Sequence, residues 1–563
     1  MTGKKRALLS RYRGDAKKSV HDSWRVLKHR GPGQLQFWLI ALVIGISAGF
    51  AALLFRKGIN ALQAWAYGTD DLNRLHTFAG TLPWYVLLLI PVLGGLTVGV
   101  ILNWFTPDGR VRSVADVIEA AALHKGQVEH RAGLASALAS LITLSTGGST
   151  GREGPVVHLA AVISSWISRR IKADNITGRD LLACAVAAAV SASFNAPIAG
   201  AVFALEVVLR HFAINAFAPI VIAAAAGTVI NRLEFGDVTE FTLMGDGGLS
   251  YYAELPAFLL LGLVCGVVAV ILMRSILISD DIGSWVQKKI HLPPVLRPAL
   301  AGLMLGGIAI AYPHIIGIGY ETVSAALTGQ LLLWNVIIFT VVKVIAVSVT
   351  MAGRMGGGVF SPALMVGALT GLGFGLIATG IFPDVSGSET LYALAGMGAV
   401  AAAVLGAPIS TTLIVFELTG DWQTGLAVMV AVSTSTALAS HWVHRSFFLT
   451  QLVRRGIHIA DGPQTWLLSS SKVQAAMLDL DQTRAPRREA CELLIAQGVQ
   501  IADTDSLEQA MAMFEADAAP EFIPVLRCDE EGAAPQLCGV LFEVDALRYY
   551  ARALSKTAAE EHS

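Results

Sequence analysis

From residue 37 to residue 442 the chain is an almost uninterrupted succession of apolar segments, and this property decides what it can fold into. Segments 37–55 and 82–105 are long enough to cross a bilayer, because about 20 apolar residues span the hydrocarbon core. Segments 216–230, 257–277 and 296–311 are more conventional than the short or broken segments elsewhere in the chain, and 331–349 is a further apolar segment. In lipid the backbone must satisfy its own hydrogen bonds, so such a chain is expected to be all-α and polytopic. Composition agrees. The chain is 54% hydrophobic and 15% charged, with a mean hydropathy of +0.60, where soluble domains carry about 25% charged residues. The 55 glycines suit helices that pack closely in a membrane.

Other segments are short or broken, and the breaks fall at four places. Gly147-Gly148-Ser149-Thr150-Gly151-Arg152-Glu153-Gly154-Pro155 opens one helix, and Asn195-Ala196-Pro197 divides 181–194 from 198–209. Gly356-Gly357-Gly358-Val359-Phe360-Ser361-Pro362 opens another, and Gly406-Ala407-Pro408 follows 391–405. Broken helices are tolerated in a membrane only where the freed backbone is buried or lines a cavity. The four form two pairs, and the interval from Pro197 to Glu206 equals that from Pro408 to Glu417. This is an internal duplication, and matching broken helices in two halves point to a transport site.

The break at Glu153 carries the chemistry. Proline is tolerated in a first helical turn, so a helix can begin at Pro155, and the glycines before it let backbone amides approach a guest. Such an N-terminus attracts anions, and the Glu153 carboxylate is itself an anion that can occupy the site until displaced. The blander alternative is a capped helix with an acidic first turn. An enzyme alternative also exists, because Gly147-Gly148-Ser149-Thr150-Gly151 fits a G-x-S-x-G nucleophile elbow with His158 nearby. No strand signal precedes Ser149, and the loop leads into an apolar helix, so an intramembrane serine hydrolase is set aside and no enzymatic activity is expected.

The ends of the chain differ from its middle. Residues 1–35 hold Lys4, Lys5, Arg6, Arg11, Arg13, Lys17, Lys18, Arg25, Lys28 and Arg30 against Asp15 and Asp22. They are too polar for a cleaved signal peptide and read as a cytosolic tail held inside by the positive-inside rule. Residues 36–445 form the membrane domain. From 446 to 563 the composition becomes that of a soluble cytosolic domain. The five cysteines show no metal spacing, and neither a metal, a cofactor nor a nucleic acid partner is expected.

These residues resemble the CLC family of chloride channels and anion/proton antiporters. The resemblance covers roughly residues 37–444 and rests on Gly151-Arg152-Glu153-Gly154-Pro155, on Gly358-Val359-Phe360-Ser361-Pro362, and on the paired Ala-Pro breaks leading to Glu206 and Glu417. It implies two inverted-topology repeats of broken, tilted helices, in a homodimer whose subunits each have a pore. Glu153 would be the gating glutamate. Gly151, Arg152, Gly154 and the amides of Val359 and Phe360 would bind chloride or a similar small anion, protons being a further substrate of the antiporters. Dipoles and amides attract an anion without the full positive charge that would hold it too tightly for conduction.

Three departures bear on function. The family's GSGIP motif is replaced by Val111-Arg112-Ser113-Val114-Ala115, so the pore serine falls on Arg112 or Ser113. The family's pore tyrosine aligns with Trp422. The position after Glu206, an intracellular proton glutamate in many antiporters, is Val207. The expectation is therefore a voltage- or pH-gated chloride channel, with chloride/proton exchange as the alternative, in a bacterial inner membrane with both termini cytosolic. Beyond residue 500, Ile501-Ala502-Asp503-Thr504-Asp505-Ser506-Leu507 with an amphipathic run to Phe514, then Phe522-Ile523-Pro524-Val525 and Gly539-Val540-Leu541-Phe542, resemble one α/β CBS module. Asp545 would help bind a nucleotide there, but Phe542 replaces the usual hydroxyl, which favours a structural role.

Overall fold

Eight helices among the described residues are long and apolar enough to cross a membrane. In the computed structural model the described residues are 34–69, 71, 74–173, 175–210, 214–236, 254–383, 386–457, 459, 468, 471–482, 484–515, 520–527 and 536–562. The basic stretch 1–33 lies outside them. In chain order the first half holds α1 (Gln34–Tyr67), α2 (Leu75–Ala79), α3 (Trp84–Phe105), α4 (Val114–Leu123), α5 (His130–Ser145), α6 (Glu153–Ile171), α7 (Asn175–Phe194), α8 (Pro197–Phe203) and α9 (Ile214–Phe235). A π turn over Ala204–Leu209 extends α8. The second half holds α10 (Leu255–Lys289), α11 (Leu296–Ala311), α12 (Tyr320–Leu327), α13 (Leu333–Ala352), α14 (Phe360–Ile381), α15 (Glu389–Leu405), α16 (Pro408–Thr419), α17 (Trp422–Trp442) and α18 (Phe447–Arg454).

Glycine sets how these helices meet. Gly95 and Gly99 on α3 lie against the backbone of Val295–Ala299 at the start of α11, and Gly302 and Gly306 on α11 lie against the backbone of α3. Both pairs are four residues apart, so each helix presents a small-residue groove that lets the other's backbone come close. The same device joins Gly367, Gly371 and Gly375 of α14 to α15. A side chain at any of these positions would push two backbones apart.

The two Ala-Pro breaks share one construction. Asn195, at φ +58°, ends α7 in the left-handed region, and Gly406, at φ +68°, ends α15 in the same way. Proline then starts the next helix at a position whose N–H is not needed. Asn195 tolerates the conformation through its short polar side chain, whose Oδ1 accepts from Arg232 Nε at 2.7 Å. The helices after the breaks exchange carboxylates. Glu206 accepts from the Ile409 and Ser410 amides at 2.9 and 2.8 Å and from Ser410 Oγ at 2.7 Å. Glu417 accepts from the Ile198 and Ala199 amides at 3.0 and 2.8 Å. Each half thus caps the other's exposed helix start with a negative charge, which the helix dipole favours.

The chain divides into two compact units, with the main division between Arg455 and Gly456 rather than at residues 445 and 446. The reason is α18. Its Phe447, Phe448 and Leu452 are buried within the membrane unit, and Arg455 just beyond it pairs with Asp116 at 2.9 Å. The second unit has a sheet of β1 (Leu478–Asp479), β2 (Ile501–Ala502), β3 (Ile523–Arg527) and β4 (Gln536–Leu541), in the order β1-β4-β3-β2. Strands β2 and β3 are parallel and the other pairs antiparallel. Its helices are α19 (Arg488–Ala496), α20 (Leu507–Phe514) and α21 (Glu543–His562). Val473, Leu507, Ile523, Val525 and Leu541 form the centre of its core.

Candidate functional site

Helices α6 and α14 begin side by side. The turns leading into them are joined by two backbone bonds, Gly151 N–H to Gly358 O at 2.8 Å and Gly358 N–H to Gly151 O at 2.7 Å, in an antiparallel bridge. Thr150 Oγ1 adds a third link to Gly358 O at 2.9 Å. Gly357 reaches this geometry at φ +116°, a conformation open to glycine and strained for other residues. The result is a pair of helix N-termini aimed at one region, with the amides and partial positive charges of their first turns.

The Glu153 carboxylate occupies that region. It is buried, and Ser361 Oγ, on the first turn of α14, lies 2.7 Å from both of its oxygens. A hydroxyl has one proton, so it donates to one oxygen at a time. Gly151 makes the placement possible, since a Cβ there would lie 2.7 Å from Glu153 Oε2 and 3.0 Å from Ser361 N. Any larger residue would force the carboxylate off its seat. The Phe360 ring is held by rings of the first half, with centroids 4.7 Å from Phe194 and 5.9 Å from Phe203.

A cavity of about 290 Å³ opens from this point, lined by Glu153, Gly154, Ser113, Val359, Phe360 and the Phe447–Phe448 pair. Arg110, Arg354, Arg454 and Arg455 also line it, with Asp280 and Asp281. Several of these charges are paired: Arg454 with Asp281, Arg455 with Asp116 at 2.9 Å, and Asp280 with Arg297 at 2.9 Å.

The two candidates for the pore serine part company here. Ser113 lines the cavity, and its amide donates to Asp116 Oδ2 at 2.7 Å at the start of α4. Arg112 is held among acids, 2.8 Å from Asp108, 3.8 Å from Asp116 and 3.9 Å from Glu129. Burial weighs against its charge, but Asp116 and Asp108 prevail and raise its pKa. Its charge is therefore balanced locally and does not act as an anion trap. Arg152 and Glu153 are sequence neighbours that line different cavities. Arg152 faces a smaller one of about 90 Å³, where its guanidinium donates to Ser193 O at 2.9 Å and lies 5.4 Å from the Tyr320 ring centre. Trp422 starts α17, and its side chain lies outside the described residues.

Two contributors escaped the sequence reading. Ser361 was visible only as part of a motif, although a hydroxyl in a first helical turn is a natural anion donor. Composition alone puts Phe447 and Phe448 with the soluble end, yet two aromatics followed by Leu452 and two arginines mark a short amphipathic helix whose Phe447, Phe448 and Leu452 are buried. The serine-nucleophile arrangement has no structural counterpart. Ser149 is fully buried in the turn between α5 and α6, not at the tip of a strand.

Comparison with known proteins places this geometry. A family model described as voltage gated chloride channel matches residues 94–440. The chain is 33% identical over 404 residues to a ClcB-like chloride channel protein of Ralstonia nicotianae, covering 71% of this chain and 92% of that one. It is 31% identical over 420 residues to the voltage-gated ClC-type chloride channel ClcB of Escherichia coli, covering 73% and 97%. Among solved structures, a slow cyanobacterial Cl⁻/H⁺ antiporter superposes with a TM-score of 0.66 at 21% identity, covering 75% of this chain and 98% of that one. Sequence and fold agree, and the chain belongs to the CLC family of chloride channels and transporters, as a multi-pass integral membrane protein.

Proposed function

We propose that this protein conducts chloride or a similar small monovalent anion across a bacterial inner membrane through a path gated by Glu153. The observation that carries the reading is the carboxylate seated against Ser361 at the start of α14. A permeating anion needs the same donors, so the carboxylate and the anion compete, and protonation of Glu153 or voltage acting on its charge opens the path. Ser113, Gly154 and the amides of Val359 and Phe360 are the proposed anion contacts. Gly151 makes room for the gate, and Arg152 serves the smaller cavity. The antiparallel bridge and exchanged carboxylates support two inverted-topology repeats, and the reading includes a homodimer in lipid with both termini cytosolic, which the family resemblance implies. The four-stranded unit is proposed as a CBS-like structural domain, because Asp545 is already bound by Arg484 through contacts of 3.3 and 2.9 Å.

Passive conduction is preferred because Val207 offers no proton-carrying group and Glu206 is committed to capping α16. Intramembrane proton routes normally show themselves as ionisable residues. Chloride/proton exchange is the second reading, favoured by the likeness to a structure described as a Cl⁻/H⁺ antiporter. Purified protein in liposomes decides between them. An imposed chloride gradient should move chloride without moving protons uphill; stoichiometric uphill proton movement that disappears in Glu153→Gln would establish exchange.

A further inference from the structure

The smaller cavity has chemistry of its own. Its lining brings together Arg56, Gln63, His76, Arg152, His314 and Glu321. His314 is 4% exposed, and its Nε2 has no hydrogen-bond partner. The ring is fixed from both sides, stacked on Phe339 at 3.6 Å between centroids and edge-on to Tyr312 at 5.6 Å. A buried polar nitrogen without a partner loses its water bonds with no return, so its presence in a cavity wall points to a guest.

The neighbouring charges say what sign that guest has. Glu321 is occupied: it accepts from the His76 and Thr77 amides at 3.0 and 3.3 Å, from Thr77 Oγ1, and from His76 Nδ1 at 3.0 Å. Gln63 Nε2 is committed to Leu144 O at 3.1 Å. Behind the wall, the fully buried Lys343 donates to Gly317 O at 3.1 Å, on the connection that carries His314. Burial, with Lys343 and His76 nearby, pushes the His314 pKa down to about 3. The ring is therefore neutral at ordinary pH, and a neutral imidazole can present one N–H.

We propose that this cavity is an anion-binding site, separate from the Glu153 cavity, in which His314 Nε2–H and the Arg152 guanidinium hold a small monovalent anion such as a halide. A neutral donor beside the Arg152 guanidinium binds such an ion and still releases it, as a site on a conduction path must. The other arginine of the lining, Arg56, has its guanidinium over the Phe235 ring, 3.9 Å from its centre. Because Arg152 and Glu153 are adjacent, an anion held here waits next to the gate. The proposal rests on the conduction reading above and adds a second binding position to it.

Bromide is the probe, since its anomalous scattering marks its position in crystals of the full chain. Wild-type crystals soaked in bromide should show one peak between His314 and Arg152 and another near the Val359 and Phe360 amides. His314→Phe, which keeps an aromatic ring on Phe339, should remove the first peak and keep the second, the retained peak showing that the variant is folded. His314→Gln, which restores an N–H, should recover the first. In liposomes His314→Phe should raise the half-saturating chloride concentration by about tenfold, the loss of one hydrogen bond to an ion. A wild-type peak in the Glu153 cavity with none at His314, or an unchanged half-saturation in His314→Phe, would overturn the proposal. Absence of both peaks together with absence of anion flux would instead overturn the conduction reading beneath it.

Discussion

At the break before Glu153, a glycine-rich turn delivers a carboxylate to the start of α6; at the break before Phe360, a similar turn delivers Val359, Phe360 and a serine hydroxyl to the start of α14. The two turns are bonded to each other through Gly151 and Gly358, and the helices that follow the two Ala-Pro breaks cap each other through Glu206 and Glu417. The contacts between the halves are therefore matched while the chemistry is not. One half supplies a carboxylate and the other a hydroxyl that donates to it; in the proposed function an anion competes with that carboxylate for the donor. The division is physically sensible. Two carboxylates facing each other would repel, and two sets of donors without a competitor would hold an anion with no internal means of release.

The largest effect should come from removing the competitor. Glu153→Gln keeps the shape but loses the charge and much of the bond to Ser361, worth about 1.5–3 kcal/mol or roughly a ten- to hundredfold shift toward the open state. Anion flux should persist and its dependence on external pH should vanish. Persistent pH gating in that variant would remove Glu153 from the gate.

Breaking the same contact from the other half should do less. Ser361→Ala leaves the Glu153 charge and the helix N-terminus in place but removes the hydroxyl, so flux under gating-limited conditions should rise by about tenfold. A fall in flux would show that the hydroxyl matters more to the anion than to the carboxylate, reversing the division of labour drawn above.

The capping exchange sharpens the comparison through stability. Glu206→Ala leaves two amides and a hydroxyl without their acceptor, while Glu417→Ala leaves two amides. Each should cost about 1–3 kcal/mol, with Glu206→Ala the more damaging. Thermal unfolding in detergent ranks them, and the opposite order would deny the Ser410 hydroxyl a part.

The smallest effect concerns selectivity. Ser113→Ala should change the chloride-to-nitrate permeability ratio by roughly twofold to tenfold, the worth of one hydrogen bond, and Arg112→Ala should leave it nearly unchanged because its charge is balanced by Asp108 and Asp116. Bi-ionic potentials read both ratios. A shift in Arg112→Ala alone would put the arginine, not the serine, at the pore.

Residues near one another in the chain made much of this legible in advance. Apolar segments of spanning length, the Gly-Pro interruptions and the repeated Pro-to-Glu interval are local patterns, and lipid leaves few ways to satisfy them. Glu153 at a helix start was equally local, since the glycines, the proline and the carboxylate lie within one turn. Which donors face that carboxylate was not legible, because Ser361 reaches it from a residue 208 positions away. The same holds for the exchange of Glu206 and Glu417 between halves, for α18 joining the membrane unit, and for Arg152 and Glu153 opening into different cavities. Hydrogen bonds and cavities between distant segments depend on how closely the helices approach, and glycine-lined crossings set that distance only once the whole bundle has packed.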